Sequence, residues 1–368
     1  MAPIRIGVTG ADGFLGWHLR VHLLPQADVA VSCAGRDTFA DSAKLKEFAA
    51  GCDAIAHFAG VNRGEERDVE AGNVAIARAL ADALSNAGGR PHVVYANSTH
   101  HERDTAYGRS KRRAAELLAE WASRAGARFT NIVLPHVFGE SGRPNYNSVV
   151  ATFCHELAQG RTPRMSQEGD LELAHSQQVA AEVIECIRQA KAGETRLAGV
   201  PIRVSALLER LRSFASDYGN QVIPRLERAL DLDLFNTYRS YLFPAHYPVK
   251  LAHRSDARGA LFEAVKSLHG GQCFISTTHA GVTRGNHYHS RKIERFLVLQ
   301  GDALIRLRRL LAPQVHEFRV SGAAPCYIDM PTFHTHDITN TGAGELVTLF
   351  WSHDLYDPGQ PDTYAEKV

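Results

Sequence analysis

Two histidines and a glutamate within residues 281–301 constrain the fold more than any other feature of the sequence. His287 and His289 stand two positions apart, so on an extended strand both imidazoles leave the same face. Glu294 can return to that face on the next strand. His336, much later in the chain, would add a third imidazole from a distant strand. Three imidazoles and one carboxylate suit a borderline divalent ion, with zinc preferred and nickel, iron or manganese as alternatives.

This spacing resembles the two sequence motifs of the cupin family. Residues 281–301 match the first motif, Gly-x5-His-x-His-x4-Glu-x6-Gly, at every position, and residues 331–340 match the second around His336. Phe333 stands where the second motif normally has a glycine, and neighbouring His334 is an alternative ligand. The resemblance implies an all-β cupin (jelly-roll) domain that binds a metal through the four side chains named above. The alternative is a small β-barrel whose histidines are only packed or exposed.

Composition limits the function classes open to the chain. Its 368 residues suit two domains, and a net charge of +1 leaves no basic excess for neutralising phosphates, which excludes a typical nucleic-acid binder. The six cysteines lack paired spacing, as expected of reduced thiols in a cytoplasm. There is no signal-peptide pattern and no apolar run long enough to cross a bilayer. We therefore expect a cytoplasmic protein that does not bind membranes.

A glycine-rich turn near the N-terminus predicts a dinucleotide site. Apolar residues 3–8 form a predicted strand, and Gly10, Gly13 and Gly16 follow it before an amphipathic helix that ends near Leu24. Such glycines let a pyrophosphate sit on the helix N-terminus. The spacing resembles extended short-chain dehydrogenase/reductases, whose fold is an α/β Rossmann-type, doubly wound parallel sheet. The resemblance implies cofactor contacts from Gly10, Asp12, Gly13, Phe14 and Leu15.

The end of the second predicted strand, residues 28–33, bears on cofactor choice. Arg36 follows this strand and could bind a 2′-phosphate, which favours NADPH. Asp37 stands beside it and keeps NADH open, since an acidic residue binds bare ribose hydroxyls. Alternatively, Arg36 is a solvated loop residue.

Residues 52–63 predict a buried strand that leads into a turn of small residues, including Ala59 and Gly60, which can lie flat along the cofactor. The segment resembles the Asp-x3-His-x-Ala-Gly stretch of the same reductases, whose backbone contacts the adenosine ribose and diphosphate. We expect His57 to be structural. A long helix is then expected to begin at Asn73.

Tyr107 and Lys111 are four positions apart at the start of a predicted helix, so they share one helical face. A lysine there can lower the pKa of the phenol and hold the nicotinamide ribose, and the tyrosine can exchange a proton with a carbonyl. Ser98, or alternatively Thr99, would supply the remaining hydroxyl. In this order along the chain, the residues predict a reductase active site.

Two further segments bear on ligand contacts. Pro135 and the following turn resemble the reductase segment that places the nicotinamide. The polar stretch after it is loop-like and expected to line the substrate pocket. The predicted substrate-binding residues are Arg63, His136, Arg143, Asn145 and Asn147.

The order of domains, a reductase (residues 1–243) followed by a cupin (residues 249–368), resembles the CapF type (WbjC type) of bifunctional nucleotide-sugar enzyme in capsular polysaccharide and O-antigen synthesis. Residues 59–63, 144–154, 284–287 and 357–364 carry most of the likeness. It implies C-3 epimerisation of a UDP-2-acetamido-2,6-dideoxy-4-hexulose by the cupin, then NADPH-dependent reduction at C-4. The product lies on the route to UDP-N-acetyl-L-fucosamine.

Several alternatives remain open on the sequence. The cupin could serve a single-activity 4-reductase by dimerising it or binding ligand, and a homodimer is expected in either case. A sensor of NADP and sugar is a third hypothesis, disfavoured because a sensor needs no proton donor such as Tyr107. Candidate bases for epimerisation are His289, His336 and Lys292.

Overall fold

The computed structural model describes residues 2–165 and 167–368. Contacts group the chain into two compact units, Met1–Phe138 with Gly169–Arg203, and Gly139–Glu168 with Val204–Val368. The two predicted domains, residues 1–243 and 249–368, stay a prediction. The grouping by contacts does not show which segments bind cofactor or substrate.

Helices and strands alternate in the first half of the chain, and strands dominate the second half. The helices are α1 (Phe14–Leu23), α2 (Arg36–Phe39), α3 (Ser42–Ala50), α4 (Glu66–Ala87), α5 (Ala106–Ala125), α6 (Val149–Ala158), α7 (Ser176–Arg188), α8 (Val204–Gly219) and α9 (Ala229–Ser240), with a 3₁₀ turn at Thr99–Glu102. The strands up to residue 250 are β1 (Ile4–Thr9), β2 (Val29–Ala34), β3 (Ala54–His57), β4 (His92–Ser98), β5 (Phe129–Leu134), β6 (His136–Phe138), β7 (Asp170–His175), β8 (Gly193–Arg196), β9 (Val200–Arg203), β10 (Val222–Ile223) and β11 (Val249–Lys250). The later strands are β12 (Arg254–Asp256), β13 (Gly259–Leu261), β14 (Lys266–Ser267), β15 (Gln272–Thr278), β16 (Thr283–Tyr288), β17 (Glu294–Gln300), β18 (Asp302–Arg309), β19 (Val315–Ser321), β20 (Cys326–Met330), β21 (His334–Asn340), β22 (Leu346–Ser352) and β23 (Tyr364–Ala365).

The first unit is built on a six-stranded parallel sheet in the order β2-β1-β3-β4-β5-β8. Its inner strands β1, β3, β4 and β5 are mostly buried, because helices cover both faces of such a sheet. Two apolar clusters fill the two sides, one with α1 and α7 and the other with α3, α4 and α5. The strand order reverses between β1 and β3, and ligands of such sheets bind outside the carboxyl ends at this point. The predicted α/β Rossmann-type fold is confirmed.

The start of α4 differs from the prediction. The helix begins at Glu66, seven residues before Asn73, and Glu66 and Asp68 lie in its first turn. Acidic side chains in the first turn stabilise a helix, because they lie at the positive end of its dipole. The prediction of a start at Asn73 was therefore wrong, because Asn73 is buried inside the helix rather than capping it.

The second unit contains two five-stranded sheets, β11-β20-β17-β22-β15 and β19-β18-β21-β16-β23. Neighbouring strands in both sheets pair antiparallel. Apolar side chains from β17 and β20 share one core with those from β18 and β21, as in two sheets packed face to face. The predicted all-β cupin fold is confirmed.

Helix α8 is joined to the β-strands of the second unit by a buried polar network. The Tyr218 hydroxyl donates to the Asp329 carboxylate at 2.6 Å, and Arg295 donates to the same carboxylate at 2.7 Å. Tyr247, which lies between the two predicted domains, is buried, and its hydroxyl is 2.7 Å from the Tyr218 hydroxyl. Residues 243–248 therefore connect α9 to β11 and also place Tyr247 in this buried network.

Among the described residues, none of the helices is both long enough and apolar enough to cross a membrane.

Candidate active site and candidate metal centre

The glycine turn after β1 lies against the turn after β3. Gly10 has a φ of +63°, and its carbonyl accepts a hydrogen bond from the Gly13 amide at 2.9 Å. A Cβ added to Gly10 would lie 2.8 Å from the Ala59 nitrogen, so only glycine fits this close approach. Gly13 precedes α1 and supplies no side-chain cap to the helix. The first amides of α1 are thus suited to an anion such as a pyrophosphate.

A buried hydroxyl holds these two turns together. Thr9 Oγ1 accepts from the amides of Phe58 (3.1 Å) and Ala59 (3.2 Å), so its own proton points to His57 Nδ1, 2.7 Å away. Burial lowers the pKa of His57 to about 3, with a smaller effect from the Lys111 charge. A neutral, buried His57 fits the structural role expected for it.

The other predicted cofactor residues of this region lie around the same turn. The Asp12 carboxylate accepts a hydrogen bond from Arg20 at 3.0 Å, and Phe14 begins α1 beside the half-buried Leu15. Arg36 is the exposed first residue of α2, immediately after β2. Gly60 is exposed beyond β3. These residues, drawn from three loops, lie at the carboxyl-terminal edge of the sheet.

Tyr107 and Lys111 lie in the first turns of α5, which Thr105 caps by accepting from the Gly108 amide at 3.1 Å. The Lys111 side chain is buried, and its Nζ donates to the Ala96 carbonyl at 2.6 Å. Burial lowers the pKa of Lys111 to about 7. The amine is therefore held at the end of β4, and it changes between its charged and neutral forms near neutral pH.

The short connection from Ser98 to Tyr107 is made by the 3₁₀ turn. Ser98 ends β4, and its Oγ accepts from the His100 amide at 3.2 Å, while Thr99 begins the turn itself. The His100 ring lies edge-on to Tyr107, with 6.2 Å between centroids. His100 was missed from the sequence because no family spacing marks it.

Asn73 was also missed as a site residue. Its side chain donates to the Val61 carbonyl at 2.7 Å and accepts from the Val61 amide at 2.9 Å. It also donates to Ser110 Oγ at 3.1 Å, next to Lys111 in the chain. The amide therefore ties the turn after β3 to the helix that carries the tyrosine and lysine. An asparagine inside a long helix was the available signal, since such residues favour caps and turns.

A cavity of about 410 Å³ adjoins Tyr107. It brings the predicted substrate residue Arg63 together with the tyrosine, and its walls are Asn62, Arg63, Gly64, Glu66, Val69, Thr105, Ala106 and Tyr107. Pro135 is buried between β5 and β6, and His136 begins β6 with its pKa lowered by burial. The cleft is large enough for part of a small ligand.

The remaining predicted substrate residues belong to the second unit. The Arg143 guanidinium lies 5.0 Å from the centre of the Tyr146 ring. Asn145 has a φ of +54°, and its amide donates to Thr152 Oγ1 at 3.0 Å. Asn147 is exposed. Their role in substrate binding stays a prediction.

The four predicted metal ligands meet in the second unit. The ligating atoms of His287, His289, Glu294 and His336 all lie within 4.8 Å of one another. Glu294 Oε2 is 3.1 Å from His289 Nε2 and 3.4 Å from His336 Nε2. The register places His287 directly opposite His336 across β16 and β21. This donor set of three imidazoles and a carboxylate fits a divalent metal ion.

Backbone carbonyls fix the orientation of the imidazoles. His289 Nδ1 lies 2.6 Å from the Asp362 carbonyl, and His336 Nδ1 lies 3.1 Å from the His334 carbonyl. A carbonyl only accepts, so each Nδ1 carries the proton and each Nε2 presents its lone pair to the cluster. A hydrogen bond to the Gly285 backbone similarly engages His287.

Charge and burial keep these groups in the forms a cation needs. Burial lowers the pKa of His287 to about 4, which keeps the ring neutral. Glu294 is buried, which opposes ionisation, but the neighbouring imidazoles of His289 and His336 outweigh this and hold its pKa well below the usual range. The cluster therefore offers a neutral His287 imidazole and an anionic Glu294 carboxylate, forms that suit metal binding.

The second motif makes its turn without glycine. Phe333 takes the left-handed conformation itself, with a φ of +58°, and its ring is buried. Such a conformation costs a bulky residue roughly 1–2 kcal/mol, which burial of the ring offsets. His334 is directed elsewhere, edge-on to Phe243 at 4.8 Å between centroids. His336, and not His334, therefore joins the cluster.

Comparisons with known proteins agree with both halves of the structure. Residues 6–196 match the NAD dependent epimerase/dehydratase family, and residues 254–364 match the polysaccharide biosynthesis C-terminal domain. The chain is 33% identical over 99% of both lengths to a UDP-2-acetamido-2,6-beta-L-arabino-hexul-4-ose reductase of Pseudomonas aeruginosa. A crystal structure of the capsular polysaccharide assembling protein CapF from Staphylococcus aureus is 31% identical, with a TM-score of 0.64 over 99% of this chain and 100% of that one.

A more distant likeness concerns the fold alone. The Bordetella bronchiseptica enzyme WbmF, solved in complex with NADH, is 16% identical and has a TM-score of 0.51 over 58% of this chain and 78% of that one.

Fold and site together define a short-chain reductase of nucleotide-sugar type that carries a C-terminal cupin. The chain belongs to the NAD dependent epimerase/dehydratase family, within the two-domain CapF type of nucleotide-sugar reductase/epimerase.

Proposed function

We propose that the protein is bifunctional, epimerising C-3 of a UDP-2-acetamido-2,6-dideoxy-4-hexulose in the cupin and reducing the C-4 ketone with NADPH in the reductase domain. The product would be a 6-deoxy-L-talosamine derivative on the route to UDP-N-acetyl-L-fucosamine. The buried cluster of three histidines and Glu294 carries the proposal of a second activity, because a cupin used only for dimerisation needs no such constellation. The proposal includes zinc as the ion and a homodimer as the assembly.

The reductase step follows from the arrangement around Tyr107. A bound NADPH would supply a hydride to the C-4 carbon of the sugar. Tyr107 would donate its phenolic proton to the C-4 oxygen, which becomes the hydroxyl of the product. Lys111 would hold the nicotinamide ribose and favour the phenolate that remains, and Ser98 would donate a hydrogen bond to the oxygen as charge develops. Arg36 would bind the 2′-phosphate.

The epimerase step uses the same ketone. A proton on C-3 is acidified by the neighbouring carbonyl, so its removal gives an enolate, and return of a proton to the opposite face inverts C-3. A bound divalent ion would supply positive charge for the enolate oxygen. His287, His289, Glu294 and His336 would hold that ion.

Each of the three candidate bases, His289, His336 and Lys292, is engaged in a contact. His289 and His336 direct their Nε2 atoms into the cluster and their Nδ1 atoms to carbonyls. Lys292 Nζ donates to the Pro361 carbonyl at 2.8 Å. All three candidates are thus engaged, and we assign the base to none of them.

The proposal is tested by incubating the protein with the UDP-4-hexulose and NADPH in D₂O and following the sugar by NMR. We expect NADPH oxidation together with one deuterium at C-3 of the product. A reaction without protein measures spontaneous exchange. A reduced sugar that retains protium at C-3 would instead identify a single-activity 4-reductase.

A further inference from the structure

One segment of the second unit contacts the strands and the loop that carry His287, His289 and His336 of the proposed metal cluster. This return segment, residues 361–368, includes β23, which pairs with β16 so that His287 faces Ala365. The Glu366 carbonyl accepts from Thr335 Oγ1 at 2.5 Å, beside His336. The segment was singled out in the sequence only as part of a resemblance, and neither proposed reaction uses it.

Asp362 makes the most concentrated set of these contacts. One carboxylate oxygen accepts from the amide and hydroxyl of Ser290, at 3.0 Å and 2.6 Å. The other accepts from the amides of Arg291 and Lys292, at 2.9 Å and 2.7 Å. A single side chain thus holds the loop between His289 and Glu294, two of the four ligands.

The main chain of Asp362 acts on the cluster as well. Its carbonyl lies 2.6 Å from His289 Nδ1, which commits the imidazole proton to that nitrogen. The residue has a φ of +44°, a left-handed conformation that aspartate tolerates better than most residues. Side chain and carbonyl therefore bind adjacent parts of the same loop from one residue.

We propose that Asp362 is a positioning residue of the metal centre, which fixes the loop between two ligands and sets the tautomer of His289. The inference rests on the metal centre of the proposed function. Asp362 acts through His289 and need not touch the metal itself. Removing partners of this kind typically weakens metal binding by about 10- to 100-fold.

Two substitutions separate the carboxylate from the backbone conformation. Asp362→Gly removes the carboxylate and still permits positive φ, so it introduces no strain. Asp362→Asn also tolerates positive φ and retains one acceptor oxygen. Asp357→Gly is the matched control, because Asp357 is a nearby carboxylate that accepts from the Gly359 amide at 2.8 Å, within its own loop.

The experiment uses the full chain, stripped of metal, and measures Zn²⁺ affinity by competition with a chromophoric chelator. We expect the Kd to rise by about 10- to 100-fold in Asp362→Gly, by a smaller factor in Asp362→Asn, and to stay unchanged in Asp357→Gly. The visible spectrum of the Co²⁺-saturated protein should change in Asp362→Gly, since a reoriented His289 alters the ligand field.

A merely structural role would lower the melting temperature of the metal-free protein but leave the Zn²⁺ Kd and the Co²⁺ spectrum unchanged, and this result would overturn the inference. Equal weakening by Asp357→Gly would overturn it too. If the unsubstituted protein bound no Zn²⁺ or Co²⁺, this result would contradict the proposed metal centre and therefore the inference that rests on it. Failure of the inference and failure of the metal centre are thus distinguishable.

Discussion

The side-chain nitrogen of Lys111 lies 4.1 Å from the centre of the Tyr95 ring. The ring face and the Ala96 carbonyl, 2.6 Å from the same nitrogen, are electron-rich neighbours of the amine, while burial removes the solvation of its charge. Desolvation dominates and lowers the pKa of Lys111 to about 7. The lysine proposed to hold the cofactor thus titrates near neutral pH in the free protein.

This pKa has a consequence for stability. Between about pH 7 and the ordinary lysine pKa of 10.5, the folded protein binds fewer protons at Lys111 than the unfolded chain does. The free energy of unfolding should therefore rise with pH across this window, by up to about 1.4 kcal/mol per pH unit from this group. Lys111→Met should remove this contribution. A pH slope as steep as that of the parent protein would contradict the assignment.

The measurement is urea unfolding at about pH 7 and about pH 9, followed by tryptophan fluorescence. A Trp351→Phe background removes the tryptophan of the second unit, so that Trp17 and the buried Trp121 report on the first. Lys46→Met, which removes an exposed lysine, serves as the control.

Tyr107→Phe removes the proposed proton donor and keeps the ring. We expect NADPH oxidation with the UDP-4-hexulose to fall by about 10²- to 10⁴-fold, the usual contribution of general acid catalysis. NADPH affinity, measured by fluorescence titration, should change little. The exposed Tyr356 provides a matched Tyr356→Phe control. Turnover at the parent rate in Tyr107→Phe would rule out the proposed reductase mechanism, in which Tyr107 is the proton donor.

Arg36→Ala tests the choice of cofactor. A charge-assisted contact to the 2′-phosphate contributes about 1.5–3 kcal/mol, so the KM for NADPH should rise by about 10-fold or more. The KM for NADH, which lacks that phosphate, should change little. Steady-state kinetics with both cofactors give the answer, with the exposed Arg67→Ala as control. Equal effects on the two cofactors would place Arg36 outside the phosphate site and direct the same test to Asp37.

Short-range spacing explains what could be predicted from the sequence. Gly10 with Gly13, and Tyr107 with Lys111, are defined by one turn or one helical repeat, so their geometry follows from the local chain. His287 and His289 lie two apart on β16, and Glu294 begins β17. The distant His336 was found only because its own motif has a recognisable spacing.

Contacts between distant residues explain what could not be predicted. Asn73 lies in the middle of α4 and forms hydrogen bonds with Val61 and Ser110. Sequence spacing alone does not show which partners a side chain in the middle of a helix will reach. Asp362 reaches a loop 70–72 residues earlier in the chain. Tyr247 lies in a segment whose two prolines indicate a linker, yet its hydroxyl is buried against Tyr218. In each case the tertiary fold, and not local propensity, decides the partner.

The central claim is that two activities reside in two different domains, and deuterium exchange at C-3 of the UDP-4-hexulose tests it most directly. Replacing both His287 and His289 with alanine removes two of the four proposed ligands and should lose the metal, while NADPH binding persists. The exposed His253 and His279 give a matched double alanine control in the same unit.

In D₂O, the His287→Ala/His289→Ala variant should lose deuterium incorporation at C-3, whereas Tyr107→Phe should retain it, because enolisation requires no hydride. NMR of the sugar after equal incubation times compares both variants with the parent protein and the double alanine control. Exchange at the parent rate in the double histidine variant would contradict the account, and residues 249–368 would then be a binding or dimerisation domain.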